Sequence, residues 1–177
     1  MISSRIFRKN LKTLAIVANM PKLFKGCFMR AVLQRVDRAG VNINSRLFSS
    51  ISQGLLVLLG VEKGDSRKDA DYVLEKTVNL RIFEDEQGKM NRSLADIGGE
   101  MMVVSQFTLL ADCVKGRRPS FAGAEEPEKA NELYEYFVSE ASMKVKKLAT
   151  GRFQEMMQIE LINNGPVTIL LDSRKTV

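Results

Sequence analysis

The chain has 177 residues, 45% of them hydrophobic and 27% charged, enough to bury one core and short for two ordinary domains. It contains no histidine, which excludes Ser-His-Asp and Cys-His nucleophilic centres and histidine-ligated zinc, and removes the side chain best suited to proton transfer near neutral pH. Its two cysteines, Cys27 and Cys113, lack CxxC spacing and suggest no secreted disulfide framework, so free thiols in a reducing, cytoplasmic setting are expected.

The net charge of +6 sits entirely in the leader. Residues 1–28 hold Arg5, Arg8, Lys9, Lys12, Lys22 and Lys25 and no acid, so residues 29–177 carry 21 basic and 21 acidic side chains. A formally neutral body should bind a polyanion through a local site, without a broad electrostatic footprint. The leader admits three readings: a targeting segment (mitochondrial if the source is eukaryotic), a nucleic-acid arm, or sequence upstream of a true start at Met29. Its apolar run, 14–18, is too short to span a bilayer. Residues 29–177 are read as the single domain.

From Met29 the pattern predicts strands at 31–36, 41–43 and 47–51, and residues 54–61 (GLLVLLGV) suit a strand buried on both faces. A helix is expected over 66–79, capped by Asp65 or Ser66, with Ala70, Val73, Leu74 and Thr77 on one face. Strands at 80–83 and 101–107 flank a polar, hairpin-like stretch at 85–99. A second helix should begin at Pro127, where the carboxylates of Glu125, Glu126 and Glu128 complement its N-terminus. Its buried stripe would be Ala130, Leu133, Tyr134, Phe137 and Ala141. Strands at 156–162 and 167–171 close the chain, joined through NNGP, which reads as a turn. Together these give a β-rich α+β domain with two main helices and no GxGxxG or Walker loop.

Three segments could carry chemistry. Ser105, Gln106, Phe107 and Thr108 follow the apolar strand at 101–104, where a rigid scaffold can present polar groups to a ligand. Equally, Ser105 and Thr108 could bond local backbone while Phe107 fills the core. The stretch 163–168 (NNGPVT) could be only a turn. Loop 115–121 (KGRRPSF) is the one compact basic patch of the body: Lys115, Arg117 and Arg118 could clamp phosphates while Phe121 stacks, or the loop could simply be solvated surface. Asp65, Asp69, Asp71 and the other acids show no ligand spacing, so no metal and no cofactor are expected. Cys113 reads as a buried packing residue.

Jointly, MRAVLQRV at 29–36, LRIFEDEQGKMNRSL at 80–94, VVSQFTLLAD at 103–112, GRRPSF at 116–121, TGRF at 150–153 and NNGPVTILLDS at 163–173 resemble the D-aminoacyl-tRNA deacylases, also called D-tyrosyl-tRNA deacylases. The resemblance runs in order over essentially all of 29–177. It implies an antiparallel or mixed sheet curled like a barrel, and a homodimer with its active site at the subunit interface. Gly165 and Pro166, joined by a cis bond, would be the chiral selector reaching into the partner's pocket, with Arg35 holding that loop. Ser105, Gln106, Phe107 and Thr108 would line the pocket for the aminoacyl ester and terminal adenosine of an aminoacyl-tRNA. The chain departs from the family pattern twice, with Gln154-Glu155 where glycine-alanine is usual and Asn164 where aspartate is common. Two rivals remain: a non-catalytic nucleic-acid-binding dimer using 115–121, and a sister deacylase clearing a small L-amino acid. Glycine before the proline argues against the second, because it supports the stricter wall.

Overall fold

The computed structural model describes residues 28–176. All but Phe28 of the basic leader therefore lies outside the described residues. The structure is organised around β1 (Arg30–Ile43), which pairs antiparallel with three other strands. Its residues 30–36 pair with β3 (Gly54–Gly60) and residues 39–43 with β2 (Arg46–Ile51). Beyond β3 lie β6 (Glu100–Ser105) and β7 (Leu148–Thr150), each parallel to its neighbour. The Ser49 hydroxyl on β2 donates to the Thr150 carbonyl on β7 at 2.6 Å. The curl this closes gives the barrel-like, mixed sheet that the family resemblance implied, with strand order β2-β1-β3-β6-β7 and β8 (Gln158–Asp172) on the other edge of β1.

The sheet buries both faces, and β1 changes sides along its length. Ala31 and Leu33 face a core shared with the helices, while Val36, Ala39, Val41 and Ile43 belong to a second core with Leu56, Met102 and Val104. Each strand residue points opposite to its neighbour, so the switch needs the irregular pairing recorded between Gln34 and Arg38. The continuous apolar run of β3 follows from the same two-sided burial: Leu55, Val57 and Leu59 serve the first core, Leu56 the second.

Helix α1 (Arg67–Asn79) begins after Ser66, whose N–H and hydroxyl both donate to the Asp69 carboxylate, and buries Ala70, Val73, Leu74 and Thr77 as its spacing predicts. Helix α2 (Pro127–Ser142) starts on its proline and buries Leu133, Tyr134, Phe137 and Ala141; Ala130 is half-buried. A small hairpin pairs β4 (Phe83–Glu84) with β5 (Met90–Arg92). The strand expected from residue 80 starts later, because Leu80 caps α1 by donating to Lys76 O at 2.9 Å. Among the described residues, no helix is long and apolar enough to cross a membrane.

The largest correction is at NNGP. It is not a turn between two strands but an irregularity inside one, β8 (Gln158–Asp172). Val36 pairs with Asn163 and Gln34 with Thr168, so four residues of β8 bulge opposite Arg35 alone. The 14 residues of β1 offer partners to both halves of β8 in line, so the halves need not fold back on each other.

Candidate active site

The strand expected through Phe107 stops at Ser105. Gln106 N donates to Leu59 O at 2.7 Å, and the chain then closes a 3-10 turn over Phe107–Leu110, with Leu109 N donating to Gln106 O at 3.2 Å. Ser105 and Gln106 are half-buried, whereas Phe107 is 57% exposed. The alternative in which Phe107 only fills the core therefore fails. These residues form one wall of a cleft of about 780 Å³. The start of α2 supplies a second wall through Ala124, Glu125 and Pro127, and residues 153–157 supply a third. Thr108 is not on the lining; it accepts a hydrogen bond from Gln106 Nε2, which holds that amide at the turn.

Two carboxylates are the charged members of the lining. Glu125 is nearly enclosed and is held well down, to about 2, chiefly by the Lys129 ammonium at 2.7 Å and by the N–H of Gly64 at 3.0 Å. Glu155, one of the two departures from the family pattern, stands exposed on the rim, where Arg152 lies 3.7 Å away. Gln154 beside it takes a positive φ of 60°. Phe153 packs on Tyr134, whose hydroxyl donates to Val103 O at 2.9 Å, so the third wall is tied to both α2 and β6. The TGRF motif pointed to this wall; Met156, Met157 and Ile159, which also line the cleft, carried no functional signal in the sequence.

The basic loop adjoins the cleft. Asp112 and Ser120 exchange backbone hydrogen bonds of 2.7 and 3.0 Å, closing a loop in which Lys115, Arg117 and Arg118 are all exposed. Phe121, just past it, meets the Phe107 ring at 5.1 Å. Cys113 is a free, exposed thiol in this loop and not the packing residue expected, because the 3-10 turn carries the chain out of the core before reaching it.

The bulge of β8 forms a separate feature. The Gly165-Pro166 bond is cis, and both residues are exposed. Arg35, buried beneath them, donates through Nε to Asn164 O at 3.2 Å and through Nη1 to Ile82 O at 2.7 Å, with Glu84 3.6 Å from Nη2. Gly165 has φ 120°, and a Cβ there would stand 2.8 Å from Val167 Cγ2 and 2.9 Å from Arg35 Nη2, so glycine is required. Neither Gly165 nor Pro166 lines the cleft of their own chain. Among the described residues no group of three or more His, Cys, Asp or Glu side chains is placed to hold a metal ion.

The family described as D-Tyr-tRNA(Tyr) deacylase matches residues 32–172. The chain belongs to this family. It is 63% identical to the D-aminoacyl-tRNA deacylase of Syntrophus aciditrophicus (strain SB) over 147 residues, 83% of this chain and 99% of that protein. It is 59% identical to the D-aminoacyl-tRNA deacylase of Natranaerobius thermophilus over 148 residues, again 83% of this chain and 99% of the relative. Among solved structures, the c-Myc DNA unwinding element binding protein superposes with a TM-score of 0.77 at 39% identity, covering 80% of this chain and 97% of that one. A probable eukaryotic D-amino acid tRNA deacylase, 16% identical, superposes with a TM-score of 0.71 over 82% of this chain and 99% of its own, and so shares the deacylase fold.

Proposed function

We propose that this protein hydrolyses the ester joining a D-amino acid to the terminal ribose of mischarged tRNA, releasing free D-amino acid and tRNA. The observation that carries the reading is the cleft in which Ser105, Gln106 and Phe107 face residues 153–157, in a chain of the deacylase family. A cleft lined by carboxylates and no basic side chain suits a terminal nucleoside with its cationic aminoacyl group. The backbone phosphates that follow would meet Lys115, Arg117 and Arg118 outside it.

The working site needs two subunits. Gly165 and Pro166 project from the surface and are absent from the cleft of their own chain, and β8, which carries them, pairs with β1 alone among the described strands. Leu170 on the same strand is 58% exposed. A homodimer would cover this surface and bring the Gly-Pro of one subunit to the cleft of the other. There a wall of backbone, approachable because glycine has no Cβ, leaves space for a D side chain and collides with an L one. Selection by rejecting the L enantiomer accommodates many D side chains.

For the chemistry, the sequence has no histidine, and among the described residues no base is bonded to Ser105 to make it a nucleophile. Water attacks the ester carbonyl, assisted by the neighbouring 2′-hydroxyl of the ribose. The N–H of Phe107, which lines the cleft and precedes the first hydrogen bond of the 3-10 turn, receives the oxyanion. A 10³-fold acceleration requires roughly 4 kcal/mol, and one oxyanion donor supplies about 2.7–4 kcal/mol. With the exposed thiol of Cys113, the protein suits the reducing cytoplasm.

The test is release of D-tyrosine and of L-tyrosine from charged tRNA by the full-length protein, with a chelator present. Rapid release of D-tyrosine alone is the expected result. Tight binding of both charged tRNAs with neither ester cleaved would return the protein to the nucleic-acid-binding reading.

A further inference from the structure

We infer that Asp37 is a positioning residue for the chiral selector: with Arg35 it grips Asn164 from two sides and so sets where Gly165 and Pro166 stand. The inference rests on the deacylase reading above. Two positions apart on β1, Arg35 and Asp37 carry opposite charges, and both reach the same residue of β8. Arg35 Nε donates to the backbone carbonyl of Asn164 at 3.2 Å; the Asn164 side-chain amide donates to Asp37 Oδ1 at 2.6 Å. The second contact is a short, charge-assisted hydrogen bond, stronger than a bond between neutral groups. Because a carboxylate only accepts, it also fixes which end of the Asn164 amide faces it.

The two contacts act on different degrees of freedom. The bond to the carbonyl orients the peptide that leads into Gly165, and the bond to the amide fixes the Asn164 side chain. At the far end of the bulge, Asn163 Oδ1 accepts from Val167 N at 3.0 Å, and Asn163 Nδ2 donates to Thr168 Oγ1 at 3.2 Å. The bulge is thus pinned on both flanks of Gly165 and Pro166. A wall that separates enantiomers by contact depends on such pinning, since a displacement of about 1 Å at a reacting group can cost roughly 10²-fold in rate. The grip also requires a donor at position 164: an aspartate there would face the Asp37 carboxylate at hydrogen-bond distance, and like charges so placed repel.

The experiment uses the full-length protein and single-turnover release of D-tyrosine and L-tyrosine from charged tRNA. The variants are Asp37→Leu, Asn164→Asp, and the swap Asp37→Asn with Asn164→Asp, in which an amide at 37 can donate to a carboxylate at 164. Each single variant is expected to lower the D-over-L rate ratio about fivefold or more, and the swap to restore it to within about twofold of wild type. An unchanged ratio in both single variants, or a swap no better than Asn164→Asp alone, overturns the inference. Simple loss of fold would lower both rates together and would not be rescued by the swap. A wild-type protein that releases neither amino acid would instead sink the deacylase reading.

Discussion

The rings of Phe107 and Phe121 meet edge-on, their centroids 5.1 Å apart and their planes at 70°. This contact joins the turn at the cleft mouth to the end of the basic loop, and both rings are substantially exposed, at 57% and 37%. Edge-to-face pairs contribute about 0.5–1.5 kcal/mol beyond burial. In Phe121→Ala the Phe107 ring loses its backing, and KM for charged tRNA should rise about two- to tenfold while kcat and the melting temperature barely move. Steady-state kinetics decide it; a fall in kcat at constant KM would contradict a binding role.

Lys115, Arg117 and Arg118 lie together in the loop closed by the Asp112 and Ser120 hydrogen bonds, and all three are exposed. If Arg117 and Arg118 contact phosphates, replacing both by alanine should reduce the steepness of log affinity against log salt by about 1.4, at roughly 0.7 for each lost single-strand contact. Filter binding from 50 to 300 mM salt measures the slope, with the ratio of D to L hydrolysis unchanged. A parallel line at lower affinity would place the two arginines away from the phosphates.

Much of this architecture was legible locally. Ala70, Val73, Leu74 and Thr77 at helical spacing, Pro127 at the start of α2 and the unbroken apolar run of β3 each predict the element that forms. What was misread depends on partners far away in sequence. Asn163 to Pro166 have local turn chemistry, yet their conformation is decided by the length of β1, whose Val36 pairs with Asn163 127 residues later and which keeps both halves of β8 in register. Cys113 follows an apolar strand and suggested burial, whereas the 3-10 turn redirects the chain. Nothing in the sequence singles out Asp37, because its partner at Asn164 comes into reach only when β1 and β8 pair.

Gly165 stands between Arg35 and Val167 with no room for a methyl group on either side. In Gly165→Ala the positive φ becomes strained and the bulge must shift, at a cost on the order of 1–3 kcal/mol. The bulge is exposed, so the fold should survive. D-tyrosine release should then fall about 10²-fold while the melting temperature drops by no more than about 10 °C. Single-turnover kinetics together with a thermal melt separate the two effects, and full activity in this variant would remove Gly165 from the site.

Asp65 is 3% exposed, and burial, reinforced by the carboxylates of Asp69, Glu62 and Glu125, pushes its carboxyl from an ordinary 3.8 up to about 7; the Glu62 N–H only partly offsets this. One oxygen accepts from that N–H at 2.7 Å, and the other has no hydrogen-bond partner among the described residues. Below pH 3.8 the group is protonated folded or unfolded and costs nothing. Between 3.8 and about 7 the unfolded chain ionises and the folded one does not, so stability falls as pH rises; above about 7 the penalty is constant. Asp65→Asn keeps the acceptor for Glu62, turns the unpaired oxygen into a donor and cannot ionise. It should therefore stabilise the protein by about 2–4 kcal/mol at pH 8, and by roughly 2 kcal/mol less at pH 5. Melting curves at the two pH values test this, and a gain that is equal at both, or smaller at pH 8, would show that Asp65 is already ionised in the fold well below neutrality.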